Sequence, residues 1–256
     1  MRMLMIPEQE RQIEGAGTPD ADWQAWPGLA ALPPVTAREL VPGSARAVVV
    51  APHPDDEILA CGGLLQLLAQ QGSEVLLVAV TDGGASHPGS SLWPQERLSR
   101  VRPDESVQAA TALGITPAWL RLHLPDGGVT AREAHLGAML REILRPGDTV
   151  LTTWRFDGHP DHEACGRACA AAAPACGALL VEMPVWTWHW AAPGDARVPW
   201  QRARRLLLPG DLLRRKREAV RCFASQIEAD ASTGQPAILA PHALQRLLHP
   251  SEVYFR

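Results

Sequence analysis

The 256-residue sequence contains a single lysine, Lys216; arginine supplies every other permanently positive side chain. With a net charge of -4 there is no basic excess of the kind a nucleic-acid partner or an anionic membrane surface selects. Five cysteines, Cys61, Cys165, Cys169, Cys176 and Cys222, form an odd set with no C-x-x-C pair. That excludes a disulfide framework as the expectation and favours a reducing, cytoplasmic setting. No stretch approaches ~18 uninterrupted apolar residues, and the opening MRMLMIPEQERQ breaks its short apolar run at Pro7 and Glu8, unlike a secretory leader. There is no G-x-G-x-x-G signature, no internal repeat and, beyond one short Ala-rich run, no low-complexity tract. What remains is ordinary for a globular chain: 46% hydrophobic and 20% charged, long enough to bury a sizeable core.

Residues 1–43 are rich in Pro, Ala and Gly and show no sustained period, so they are expected to form an irregular lead-in held on by Trp23 and Trp26. Residues 44–256 read as one α/β domain. An apolar β-branched run, Ala47 to Ala51, is followed by a helical pattern from about Ile58 to Gln71, with Gly72 placed to close it. A second apolar strand at 74–84, strands at 118–128 and 148–154, and the helical patterns between them repeat the strand–helix alternation. Such crossovers predict a mostly parallel sheet. A fifth strand near 178–186 precedes C-terminal additions that read as strand, helix and strand.

Chemistry-bearing residues gather where these strands end. His53, Pro54, Asp55, Asp56 and Glu57 follow the first strand, which is where open α/β sheets place ligands. Neighbouring Asp side chains point different ways, so one can bind a metal while the other faces a water held there. The competing interpretation is that Asp55, Asp56 and Glu57 merely serve the helix N-terminus. A second group, His159, Pro160, Asp161 and His162, lies after the fourth strand and should reach the same face. Two such clusters on one face point to a metal site with an open position for water.

At these two clusters the chain resembles the PIG-L/LmbE family of zinc-dependent N-acetylglucosaminyl deacetylases. PHPDDEILACGG is similar to its A-H-P-D-D-E signature, with Pro52 in place of the usual alanine, and GHPDHEACG is similar to its H-P-D-H signature. TDGG at 81–84, Arg102 with Glu105, Leu113 with Gly114, LPDG at 124–127, and the stretch from Lys216 to Gln226 extend the resemblance over most of 46–226. It implies a Rossmann-like, mostly parallel α/β sheet with helices on both faces, plus the C-terminal additions. It implies that His53, Asp56 and His162 bind zinc, although ligand type alone leaves other divalent transition metals open. Asp55 would be the general base. His159, when protonated, would steady the oxyanion or protonate the departing amine, and Arg102 and Asp126 would hold the sugar.

The implied reaction removes an acetyl group from an N-acetylated amino sugar or small glycoconjugate. The implied partner is that small molecule, with no nucleic acid or membrane, and a homo-oligomer is left open. A metallophosphoesterase with a two-metal site and a non-catalytic sugar-binding relative are the alternatives. Among weaker signals, Cys165 reads as a small buried hydrophobe and His87 as a solvated loop residue. As a strand, WTWHW at 186–190 would set Trp186, Trp188 and Trp190 on one face, either to stack a sugar or to fill the core. The basic helix around Lys216 reads as a solvated positive face with Leu212, Leu213, Val220 and Phe223 turned inward.

Overall fold

The computed structural model describes residues 11–256. The first ten residues, and with them part of the expected lead-in and the segment contrasted with a secretory leader, lie outside the described residues. In chain order the elements are α1 (Asp20–Ala25), α2 (Pro27–Ala31), α3 (Ala37–Leu40), β1 (Ala47–Ala51), α4 (Asp56–Gln70), β2 (Val75–Thr81), α5 (Gln95–Leu113) and β3 (Ala118–Leu124). They continue with α6 (Glu133–Ile143), β4 (Thr149–Thr153), α7 (Pro160–Ala175), β5 (Leu179–Met183), α8 (Thr187–Trp190), β6 (Ala203–Leu207), α9 (Gly210–Val220), α10 (Ala224–Ile227), α11 (Pro241–Leu247) and β7 (Ser251–Phe255).

The seven strands form one sheet in the order β3-β2-β1-β4-β5-β7-β6. β1 to β5 run parallel, and β7 is antiparallel to both β5 and β6. This is the Rossmann-like, mostly parallel arrangement expected, with an antiparallel pair added at one edge. Between β1 and β4 the strand order reverses, and the crevice outside the strand ends at such a switch point is where this architecture takes its ligands.

β1 shows why both faces of the sheet are covered. All five of its residues are buried, and they alternate: Ala47 and Val49 pack into the layer that includes α4, α5 and α9, while Val48 and Val50 pack into the layer of α6 and α7. Cys165 and Cys169 lie fully buried in the second layer, as small hydrophobes. Among the described residues, no helix is long and apolar enough to cross a membrane.

α4 carries a break that the sequence pattern did not reveal. Cys61 leaves helical geometry at φ -140 and ψ 21, which frees backbone groups on both sides of it. Glu252 accepts the freed N–H groups of Gly63 and Leu64 at 2.7 and 2.9 Å. Lys216 donates to the Leu59 carbonyl at 2.8 Å and to Glu252 at 2.7 Å, and the Tyr254 hydroxyl donates to the same carboxylate. A buried carboxylate and a buried ammonium thus replace the missing helical bonds. The only lysine is therefore inside, 1% exposed, and not on the solvated face of α9 where the sequence placed it. Leu212, Leu213, Val220 and Phe223 do turn inward.

Residues 20–40 form three helices of four to six residues, too short to print a helical period. Trp23 is fully buried, edge-on to Trp188 at 5.0 Å, and donates from Nε1 to the Trp188 carbonyl.

A candidate metal centre at the β1/β4 switch point

The turn from β1 into α4 delivers His53, Asp55 and Asp56, and the start of α7 after β4 delivers His159 and His162, all to one cavity of about 320 Å³. Arg102 on α5 and Asp126 after β3 line the same cavity. All seven residues singled out from the sequence are thus brought together.

Asp56 Oδ2 lies 3.3 Å from His53 Nδ1 and 3.2 Å from His162 Nε2. Two atoms bound tetrahedrally to one zinc ion at about 2.0–2.1 Å stand about 3.3 Å apart. Asp56 therefore already sits at ligand-to-ligand spacing from both imidazoles. His162 is fully buried, and its Nε2, despite its nearness to Asp56, has no hydrogen-bond partner of acceptable geometry. A buried nitrogen left in that state fits a metal ligand.

The opposite ring nitrogens are held by carboxylates. His162 Nδ1 faces Asp157 Oδ2 at 2.9 Å. His53 Nε2 faces Asp161 at 3.3 Å and Asp126 at 3.2 Å. Carboxylates only accept, so these nitrogens keep their protons, and the nitrogens that face Asp56, His53 Nδ1 and His162 Nε2, are the ones that would give theirs up to a metal. This is how metal-binding imidazoles are oriented.

Electrostatics agree with geometry. Burial works against charge on Asp56, yet His162 and His53 hold its carboxyl well below the usual carboxylate range. Burial pulls His162 down, but Asp56 and Asp157 outweigh it and lift the imidazole to about 9. His53 is likewise raised well above its ordinary value, burial being overcome by Asp126, Asp161 and Asp56. In the metal-free protein two protonated imidazoles neutralise the carboxylates, the charge that a divalent cation would supply in their place.

Asp55 stands apart from this set. It occupies the N-cap position of α4 at φ 132 and ψ -31, yet its side chain makes no capping bond. That backbone conformation costs a non-glycine residue ~1–3 kcal/mol and is retained where the surroundings enforce it. Its carboxylate turns to Arg102 Nη2 at 3.0 Å, while Glu57 accepts the Asp55 N–H. The helix-serving interpretation thus holds for Glu57 and fails for Asp55. Burial raises the Asp55 carboxyl against the pull of Arg102, with Asp56 adding to the rise, to about 7.

His159 caps α7, its Nδ1 accepting the Asp161 N–H at 3.2 Å. Its ring centroid is 4.8 Å from that of His53 and 4.9 Å from that of His162. Burial, then the positive charges of His162 and His53, drive it down to about 3. In the metal-free protein it is thus a neutral imidazole, not the protonated partner that the resemblance implies, with Nδ1 occupied as an acceptor and its proton on Nε2.

Arg102 and Asp126 are already engaged within the protein. Arg102 also donates to the Gly83 and Pro54 carbonyls, and Asp126 accepts the Ala85 N–H at 2.7 Å. Glu105 binds the backbone and hydroxyl of Ser225, which sets neighbouring Gln226 in the cavity wall.

The residues from Pro52 to Cys61 and from Gly158 to Gly166 that build this centre fall within residues 48–173, which match the profile of the PIG-L family, GlcNAc-PI de-N-acetylase. This segment of the chain belongs to the PIG-L family. It is 31% identical over 160 residues to 1D-myo-inositol 2-acetamido-2-deoxy-alpha-D-glucopyranoside deacetylase 1 of Catenulispora acidiphila, a match covering 50% of this chain and 48% of that protein. It is 28% identical over 129 residues to diacetylchitobiose deacetylase of Thermococcus kodakarensis, covering 47% and 46%. The chain thus spans about half the length of these curated relatives. Among solved structures, the deacetylase of the teicoplanin biosynthesis pathway superposes with a TM-score of 0.62 at 20% identity, over 82% of this chain and 97% of that one. At that identity the likeness concerns the PIG-L fold.

Sequence reasoning missed two carboxylates of this PIG-L centre, Asp157 and Asp161. A signal was there: each histidine cluster reads H-P-D followed by a candidate ligand, so Asp161 stands where Asp55 does in the first. WTWHW is a correction. Asp157 accepts the N–H groups of Val185, Trp186 and Thr187, which starts the helical turn α8 where alternation suggested a strand. The tryptophans consequently diverge: Trp186 and Trp188 line the cavity, Trp188 also packs in the aromatic cluster around Trp23, and Trp190 donates to the Asp157 carbonyl. His87 is also corrected; it is buried, 9% exposed, beside Ser86 and Trp93.

Proposed function

We propose that the protein is a zinc-dependent N-deacetylase that hydrolyses the acetamide of an N-acetylated amino sugar or small glycoconjugate. The observation that carries this reading is the division of labour between adjacent aspartates: Asp56 sits at ligand spacing with His53 and His162, while strained, buried Asp55 faces the cavity beside Arg102. The two relatives are named as deacetylases, one of a 2-acetamido-2-deoxy-glucopyranoside and one of diacetylchitobiose, which supports the same reading.

His53, Asp56 and His162 would hold the metal. When bound, a divalent zinc ion supplies Lewis-acid polarisation of the carbonyl and lowers the pKa of water. Asp55, with its carboxyl near 7 in the metal-free protein, takes a proton from the attacking water as the oxygen bonds to the carbonyl carbon. It then passes that proton to the nitrogen as the C–N bond breaks, which yields acetate and the free amine. His159 donates from Nε2 to the developing oxyanion. A neutral donor suffices for this, and a well-placed one contributes ~3 kcal/mol to the transition state. Arg102 holds Asp55 in register and, with Asp126, borders the space for the sugar. The five cysteines, all unpaired, support a cytoplasmic setting.

The test is acetate release by the purified, zinc-loaded protein from N-acetylglucosamine conjugates. Stoichiometric acetate and free amine are expected; phosphate-ester turnover with two metals per chain, or ligand binding without acetate, would replace this reading by one of the alternatives.

A further inference from the structure

Four arginine and lysine side chains of the described residues are buried: Arg11, Arg102, Lys216 and Arg246. Three have carboxylate partners, Glu163 at 2.7 Å, Asp55 at 3.0 Å and Glu252 at 2.7 Å. Arg246, 4% exposed on α11, has no carboxylate within 4.0 Å among the described residues. The acid closest in effect is Asp20, which already pairs with His249. A buried charge without a counter-charge is costly and is seldom kept without a use.

Arg246 lines the same cavity as the metal cluster. Its Nη1 donates to the carbonyls of Ala16 and Thr18, and its Nη2 to Nδ1 of His189. His189 in turn donates from Nε2 to the Glu14 carbonyl, so the ring is neutral and adds no competing charge. A guanidinium has five N–H donors; three are used here, and two have no protein acceptor among the described residues. The three bonds fix the guanidinium in the wall formed by α8 and α11, outside the segment that matches the family profile. A fixed, desolvated guanidinium with spare donors is suited to an anionic oxygen group.

We propose that the substrate carries an anionic group, a carboxylate or a phosphate, which Arg246 binds while the acetamide lies against His53, Asp56 and His162. This rests on the deacetylase reading and narrows it to anionic glycoconjugates. It makes Arg246 a specificity residue, with no part in bond breaking.

The experiment compares three N-acetylglucosamine derivatives on zinc-loaded protein: an α-glycoside of a hydroxy acid, its methyl ester, and the 1-phosphate. The wild type should favour an anionic compound over the ester by ~10–100-fold in kcat/KM, the factor expected for one charge-assisted contact. The carboxylate and phosphate arms show which anion fits. Arg246→Gln should raise KM for the anion ~10-fold or more beyond its effect on the ester, with kcat for the anion far less affected, and Arg246→Lys should recover part of the preference. Equal losses on anion and ester in Arg246→Gln would show that the residue only clamps residues 16–18, and an unselective wild type would overturn the proposal directly. If no compound releases acetate, the deacetylase reading fails instead. Calorimetric binding of the same three compounds to wild type and Arg246→Gln then tests the anion contact alone, with equal affinity for acid and ester overturning it.

Discussion

Asp157 Oδ2 lies 2.9 Å from Nδ1 of His162. The same carboxylate group receives the backbone N–H groups of Val185, Trp186 and Thr187 and the Thr187 hydroxyl. One fully buried side chain therefore orients His162, a proposed metal ligand, and anchors the aromatic wall of the cavity, so the position of the wall is tied to that of the candidate metal centre.

From this follows the outcome of Asp157→Asn. The amide keeps the residue's shape but loses the charge that makes His162 a strong ligand. Metal affinity should fall ~10–100-fold, as for other losses of a carboxylate behind a metal-binding histidine. Competition titration against a chromophoric chelator measures it, with near-wild-type circular dichroism confirming the fold. Unchanged metal affinity would show that Asp157 serves α8 alone.

Metal affinity should rise with pH. His162 is lifted to about 9 and His53 is raised well above its ordinary value in the metal-free protein, so metal must displace their protons. Below about pH 9 each displaced proton gives up to a tenfold gain in affinity per pH unit. The sign for stability is the reverse. A histidine whose folded pKa is raised stabilises the metal-free fold fully below 6.5, and that contribution is lost as pH rises from 6.5 through about 9. Chelator competition at pH 6.5, 7.5 and 8.5, paired with melting of the metal-free protein, should show the two trends in opposite directions.

Breaking the pair of Lys216 and Glu252 should destabilise the protein strongly. Lys216→Met leaves Glu252 buried without its counter-charge and the Leu59 carbonyl without its donor, a loss of ~3–5 kcal/mol for a buried pair cut on one side. Thermal melting of the metal-free variant should register it as a drop of roughly 6–20 °C at this chain length. A melting point within 2 °C of wild type, set here as about the smallest shift one kcal/mol gives, would show that the break in α4 does not need the pair.

What the sequence made legible follows from periodicity and adjacency. The strands and crossovers were visible because buried parallel strands are continuous apolar runs, as at Val48 to Val50. The site was visible because His53 to Asp56 and His159 to His162 are contiguous, and contiguous residues at two strand ends must meet when those strands are neighbours. Lys216 with Glu252, and Arg246 with His189, were not legible. Their partners are 36 and 57 residues away, and nothing local marks a charge that will be buried. WTWHW misled because alternation is a weak signal over five residues, and a distant carboxylate, Asp157, decided its conformation by collecting its N–H groups.

Asp55→Asn separates chemistry from binding. The proposed ligands His53, Asp56 and His162 do not include the Asp55 carboxylate, so metal content should remain at the wild-type level by atomic emission. An amide cannot accept the proton of water, and loss of a positioned base lowers kcat by ~10²–10⁴-fold, while KM changes little. The metal-free variant should also lose a pH dependence. The Asp55 carboxyl is raised from 3.8 to about 7, chiefly by burial, so the folded state binds the extra proton and the wild type loses stability as pH climbs between those values. Melting curves of Asp55→Asn should be flatter than wild type from pH 4 to 7. Wild-type turnover in the variant would remove Asp55 as the base, and a lost metal would mean that Asp55 supports the ligand set.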